Sequence, residues 1–329
     1  MNRHGKNHNI ALFNELFVGE PCAEIAHEYS QPLRFKNAGK KTSHKSFSAD
    51  DPDCRLCFHG VFDYIKALQQ SITMKYIDTH SHLHVEEFDI DRNEVIERAR
   101  TAGVALINVG FEHEGNKKAA ALAALHDDMW WTAGIHPHNA DEATDKALQW
   151  IIDAAASPAG KKLVALGEMG LDYFKNRQPR ELQRIAFHKQ LKLAKQLNLP
   201  VIVHCRDAFD DAMDDMLTEE ITRAVFHCFT GTVEEAKRAW ERGYLTSFTG
   251  ICTYTSAENV RAVIREAPLD KIMIESDCPF LAPQSHRGER NEPAFLPEIA
   301  AQIASIHQKN IIELEGDLSK NTNYFYRLS

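Results

Sequence analysis

Two histidines two residues apart, His80 and His82, lie in the run Asp78-Thr79-His80-Ser81-His82, where an apolar stretch beginning at Tyr76 and Ile77 breaks off. In a β-strand alternate side chains leave the same face, so this pair can converge on one metal ion at the mouth of a sheet or barrel. A lone His-x-His pair is also common on surfaces and in hydrogen bonds, so a metal reading needs further ligands at comparable positions. Such residues stand where later apolar runs end. Lys162 to Leu166 runs into Gly167 and Glu168, Pro200 to Val203 ends at His204, Ala224 to Phe226 ends at His227, and Lys271 to Ile274 leads to Glu275, Ser276 and Asp277.

The elements that must position these residues follow from the same runs. Each is short and rich in Val, Ile and Leu, as suits a parallel strand covered on both faces. Helical stretches separate them, for example Glu181 to Leu197, with an apolar set at Leu182, Ile185, Ala186, Leu193 and Leu197. Candidate strands fall near Tyr76 to Asp78, Val104 to Val109, Trp130 to Gly134, Leu163 to Leu166, Val201 to Val203, Ala224 to Phe226, Tyr244 to Phe248 and Ile272 to Ile274. Eight strand and helix pairs over residues 74–329 predict an α/β fold of the (β/α)8 barrel type, whose active site lies at the C-terminal strand ends. An open doubly wound sheet would gather far fewer strand ends around one point.

With 43% hydrophobic and 26% charged residues in 329, the chain can bury a substantial core. No apolar stretch approaches the roughly 20 residues of a membrane span. Asn14 and Glu15 interrupt the apolar patch Ile10 to Val18, which argues against a signal peptide. The seven cysteines show no regular short spacing, so reduced thiols in a cytoplasmic protein are the simpler reading. Residues 1–73 differ in kind. They lack barrel-like strands, and Cys54, Cys57 and His59 with Cys22 and His27 lack the paired spacing of a zinc site. This segment reads as an accessory extension, or as the product of an upstream start choice.

Seven segments together carry a family resemblance: Ile77 to Leu83 (IDTHSHL), Gly134 to His138 (GIHPH), Ala165 to Tyr173 (ALGEMGLDY), Pro200 to Ala208 (PVIVHCRDA), Phe226 to Gly231 (FHCFTG), Glu275 to Pro283 (ESDCPFLAP) and Arg287 to Pro293 (RGERNEP). Residues 75 to 329 resemble the TatD family of metal-dependent deoxyribonucleases, among the amidohydrolase-like barrels. The resemblance implies two adjacent divalent metal ions. His80, His82 and Asp277 would hold one, His204 and His227 the other, and Glu168 would bridge them. Imidazoles favour borderline metals and carboxylates hard ones, so the set tolerates Mg2+, Mn2+ or Zn2+ without selecting one.

Two ions about 3.5 to 4 Å apart can clamp the attacking and leaving oxygens of a displacement at phosphorus and lower the pKa of a bound water. Asp277 is the candidate general base, and His136 a candidate donor to a phosphoryl oxygen. Glu275 is a candidate orienting partner rather than a ligand. His84, His113, His126 and His188 read as solvated, whereas His138 fits either reading. The net charge of −9 argues against a protein built to hold long duplex DNA. Locally, Arg206 and Arg287 are candidate phosphate contacts, with Lys175, Arg177, Arg180 and Arg290 nearby, unless acids pair with them. Tyr173, Phe174 or Tyr254 could stack bases.

The resemblance therefore implies a nucleic-acid substrate and a 3′ to 5′ exodeoxyribonuclease preferring single strands or frayed ends. The alternative keeps the site but acts on a carbonyl, as in D-aminoacyl-tRNA or a cyclic amide or ester. A third reading, in which the barrel is only the scaffold of a binding module, conflicts with the complete ligand set.

Overall fold

The computed structural model describes residues 74–328. The N-terminal extension, with its cysteine and histidine candidates, lies outside them. Eight parallel strands form one sheet in chain order: β1 (Tyr76–Ser81), β2 (Val104–Val109), β3 (Met129–Ala133), β4 (Leu163–Asp172), β5 (Val201–Arg206), β6 (Ala224–Phe226), β7 (Leu245–Phe248) and β8 (Ile272–Ile274). The sheet closes on itself. Ser81 and Cys278 bridge in parallel, the His82 amide donates to the Cys278 carbonyl at 3.0 Å, and the Asp277 amide donates to the His80 carbonyl at 2.8 Å.

Helices follow the strands: α1 (Arg92–Thr101), α2 (His113–Ala124), α3 (Asp145–Ala156), α4 (Arg180–Leu197), α5 (Phe209–Thr218), α6 (Val233–Glu241), α7 (Glu258–Glu266) and α8 (Leu296–Ile306), with α9 (Ile311–Tyr326) added at the end. This is the anticipated (β/α)8 barrel. Strand alternation sorts the core into two layers. Ala105, Ile107 and Val109 join Ile77, Ile202, Val225 and Met273 in one, completed by Phe325 and Tyr326 of α9. Val104 and Leu106 face the other, among helix residues such as Val95, Ala119, Phe187 and Ile264.

Two expectations need correction. Strands β1, β4 and β5 run past the apolar stretches that announced them, to Ser81, Asp172 and Arg206. Apolar residues mark only the part of a strand that meets hydrophobic core, whereas the ladders here continue where polar side chains line the mouth. On α4, Ile185 is 46% exposed, while Gln183 and Gln190 are buried. Both glutamines are turned inward because each satisfies backbone groups at the mouth. The Gln183 side chain bonds both the amide and the carbonyl of Asp172, and Gln190 does the same for Ile135.

Candidate metal centre

Strand β4 carries the centre of the site. Alternation sends Glu168, Gly170 and Asp172 to one face. Gly170 adopts φ 142, and a Cβ there would lie 2.0 Å from the His204 carbonyl oxygen, so only glycine lets β4 approach β5 at that point. Register then sets Gly170 beside His204 and Asp172 beside Arg206.

The Glu168 carboxylate is buried, and its two oxygens face two different clusters. Oε2 lies 3.4 Å from His80 Nε2 and 3.8 Å from His82 Nε2, while Asp277 Oδ1 is 3.5 Å from His82 Nε2. Oε1 lies 2.9 Å from His204 Nδ1, 2.9 Å from His227 Nε2 and 3.4 Å from His136 Nε2. Burial raises the Glu168 pKa, but His227, His136 and His204 outweigh it and hold the carboxyl well below its usual range. The carboxylate is therefore ionised and shared between two sets of nitrogens.

The outer nitrogens of the imidazoles decide what the inner ones offer. His82 Nδ1 is 2.7 Å from the Val109 carbonyl, so it carries a proton and leaves Nε2 to face Glu168 and Asp277. His204 Nε2 lies 3.3 Å from Asp172 Oδ2, and His227 Nδ1 lies 3.4 Å from Glu275 Oε1, so each ring stands between two carboxylates and would turn its inner nitrogen to a cation that displaced the proton shared with Glu168. His80 Nε2 and His82 Nε2 approach to 3.2 Å, and His204 Nδ1 and His227 Nε2 to 3.3 Å. Ring nitrogens brought this close repel unless a proton or a metal cation lies between them. Three three-residue sets, His80, His82 and Glu168, His136, Glu168 and His204, and His80, His227 and Glu275, hold their ligand atoms within 4.8 Å of one another. A mixed nitrogen and carboxylate cradle of this kind fits divalent metals.

His136 differs from the others. Its Nδ1 accepts the His138 amide at 3.1 Å, so the proton resides on Nε2, pointing inward as a donor. Distance alone would admit His136 to a metal set, but this tautomer makes it a donor. Burial keeps its pKa well below the usual histidine value, so the ring is neutral. Asn116 of α2 clamps the preceding turn through both its side-chain oxygen and nitrogen at Gly134, and Gln190 clamps Ile135.

The family model described as TatD related DNase matches residues 77–327. The chain belongs to that family. It is 37% identical over 255 residues to the Bacillus subtilis protein named uncharacterized metal-dependent hydrolase YabD, covering 77% of this chain and 99% of the relative. It is 38% identical over 243 residues to the 3'-5' ssDNA/RNA exonuclease TatD of Cronobacter sakazakii, covering 71% and 91%. Among solved structures, the TatD homolog YJJV of Escherichia coli K12 superposes with a TM-score of 0.74 at 30% identity, covering 78% of this chain and 99% of that one. The chain is thus a TatD-related, metal-dependent hydrolase of phosphodiester bonds.

Two carboxylates of this TatD-related site were missed in the sequence. Asp172 is 1% exposed and accepts from His138 Nε2 at 2.9 Å and the Lys175 amide at 2.7 Å, besides facing His204. Its signal was alternation four residues beyond Glu168. Asp78 accepts from the His80 and Ser276 amides and from the Ser276 hydroxyl, tying β1 to the Asp277 loop. Burial pushes its pKa up to about 7 against those donors. Glu275, anticipated as an orienting partner, faces His227 and also accepts the Cys228 amide at 2.6 Å.

Several histidines expected in solvent are not there. His84 is buried, with Nδ1 3.3 Å from Asn108 Oδ1 and its ring against Phe111. His188 joins α4 to α5 through Asp215 at 3.0 Å and Glu219 at 2.8 Å. His126 packs half-buried against Arg100, and His113 half-buried against Trp150. A histidine in a helix or loop can be covered by neighbours distant in sequence. Of the arginines, Arg290 is paired with Asp91 and Glu292, whereas Arg206 and Arg287 have no carboxylate partner among the described residues and lie on Phe174 and Tyr254.

Proposed function

We propose that this chain is a two-metal 3′ to 5′ exodeoxyribonuclease acting on single strands or frayed ends. The observation that carries the reading is the division of Glu168 between two nitrogen clusters. One cation would be held by His80, His82 and Asp277, the other by His204 and His227, with Glu168 common to both. When bound, such a pair neutralises charge that develops on the phosphoryl oxygens and makes water more acidic. Asp277 takes the proton of the attacking water. Its carboxylate is ionised, since burial raises its pKa but His82 and His80 bring it below the usual value. His136 donates from Nε2 to a phosphoryl oxygen, and Arg206 and Arg287 are the arginines that contact substrate phosphate.

The relatives named as ssDNA/RNA exonucleases support the substrate class. Among the described residues no helix is long and apolar enough to cross a membrane. Cys205, Cys228, Cys252 and Cys278 are free thiols, which supports assignment to the reducing cytoplasm.

The test uses purified protein with Mg2+, Mn2+ or Zn2+ and DNA labelled at either end, with D-aminoacyl-tRNA in parallel. The expected result is mononucleotide release from the 3′ end, reduced about 10²- to 10⁴-fold in Asp277→Ala. Release undiminished by that substitution removes Asp277 as the base. Release from the 5′ end removes the polarity. Deacylation without nucleotide release transfers the site to the carbonyl reading.

A further inference from the structure

Among the described residues five arginines lie over aromatic rings: Arg180 on Tyr173, Arg206 on Phe174, Arg238 on Phe209, Arg287 on Tyr254 and Arg290 on Phe88. The use each makes of its donors separates them. Arg238 is paired with Asp210 at 2.7 Å, and Arg290 is occupied by Asp91, Glu292 and the Glu87 carbonyl. Arg180, Arg206 and Arg287 have neither an ion pair nor a side-chain hydrogen bond among the described residues. A guanidinium whose carbon lies 3.9 to 4.2 Å from a ring centre is held in place while its N–H donors stay unpaired, which is the arrangement that accepts a phosphate.

These three arginines stand on two rims of the mouth. Arg180 and Arg206 flank the loop that leaves β4 and the end of β5, and the Tyr173 amide donates to the Arg206 carbonyl at 2.9 Å. Arg287 and Tyr254 belong to the loops after β8 and β7, and the Tyr254 hydroxyl donates to the Ala282 carbonyl at 2.9 Å. In a closed eight-stranded barrel β4 lies across from β8, so the metal centre is between the rims. Each rim also presents an exposed phenylalanine, Phe174 at 57% and Phe280 at 55%. Phe280 follows Asp277 by one turn, its amide donating to the Asp277 carbonyl at 2.9 Å.

The rims are unequal. Exposed Lys175 and Arg177 add to Arg180 and Arg206 on the β4–β5 side, giving room for several phosphates. On the β7–β8 side Arg287 stands alone, and beside it Glu289 and Glu298 flank His286 at 3.0 Å each, a charge that opposes a strand running on. We propose that a single strand crosses the mouth in one sense, its body on the β4–β5 rim and its terminal nucleotide on the β7–β8 rim. There Phe280 stacks the terminal base and Arg287 reaches the one phosphate that nucleotide carries, the scissile one. This inference rests on the phosphodiesterase reading and adds the direction in which the strand lies.

Its test compares KM for thymidine dinucleotide with KM for an oligothymidylate of about 15 nucleotides, the upper end of single-strand site sizes. In the unaltered enzyme the longer substrate has a KM lower by about tenfold or more, the size of one phosphate contact or one stacked base. In Arg180→Gln/Arg206→Gln that ratio falls toward one. The salt slope for the long substrate falls by about 1.4, at about 0.7 per phosphate. Phe280→Ala and Arg287→Gln weaken both substrates by the same factor and leave the ratio standing. A ratio untouched in the double variant, or one collapsed by Arg287→Gln instead, overturns the direction while nuclease activity persists. Unaltered protein that releases no nucleotide from either substrate overturns the phosphodiesterase reading itself.

Discussion

The cradle around Glu168 and the rim that surrounds it use different means to hold a side chain. In the cradle three of the rings are held from two directions. His204 faces Glu168 with one nitrogen and Asp172 with the other, His227 lies between Glu168 and Glu275, and His82 between Asp277 and the Val109 carbonyl. On the rim Arg206 and Arg287 are each held by an aromatic ring, with their donors unpaired among the described residues. The difference follows from the task. Charge developing at a reacting phosphorus must meet ligands already in position, since reorganisation at that moment subtracts from the rate. A strand that slides by one nucleotide per cycle, as the proposed exonuclease activity requires, is better served by contacts that let go.

The largest effect that could break this contrast is at its centre. Glu168→Gln keeps shape but removes the charge both clusters share, so loss of bound metal and a fall in kcat of about 10³-fold or more are expected, equivalent to about 4 kcal/mol. Metal content by elemental analysis and turnover on single-stranded DNA check it together. Unchanged metal content would mean that Glu168 bridges nothing. Next in size are the outer partners. Asp172→Asn and Glu275→Gln leave every inner donor in place but weaken the fixing of the ring tautomers, and metal affinity by calorimetry should fall about 10- to 100-fold. Equal losses of folding stability with undisturbed metal affinity would reassign both carboxylates to structure alone.

The sequence disclosed these layers unevenly. The barrel and the inner residues were readable because they combine two regularities: apolar runs that announce strands, and a polar residue at the end of each. The outer partners were harder. Asp172 lies on the face of Glu168 by simple alternation, yet it stood beyond the apolar run that had defined the strand. Asp78 lies inside its motif, Ile77 to Leu83, but nothing in the sequence assigns it a role. Gln183 and Gln190 were invisible to a hydrophobic count, because α4 spends part of its inward face on amides that hold Asp172 and Ile135. His84 and His188 went wrong because contacts made by residues distant in sequence cover them. Periodicity reports burial only where burial is apolar.

The smallest expected effect sharpens the comparison from the rim. Arg290 and Arg287 lie three residues apart, and both lie over an aromatic ring. Charge alone gives them the same role. Arg290, however, binds Asp91 with two nitrogens at 2.8 and 2.7 Å and Glu292 at 3.0 Å, and Arg98 binds Glu292 from the other side. Its donors are consumed in joining the loop after β8 to the loop before α1. Arg290→Ala should therefore cost about 0.5 to 1 kcal/mol in chemical denaturation, as a partly exposed ion pair does, and leave the salt slope of DNA binding unmoved. Arg287→Ala should do the reverse, lowering the slope by about 0.7 with little change in stability. If both substitutions moved the slope equally, the distinction between an arginine that holds the fold and one that holds the substrate would fail at the place where it is drawn most finely.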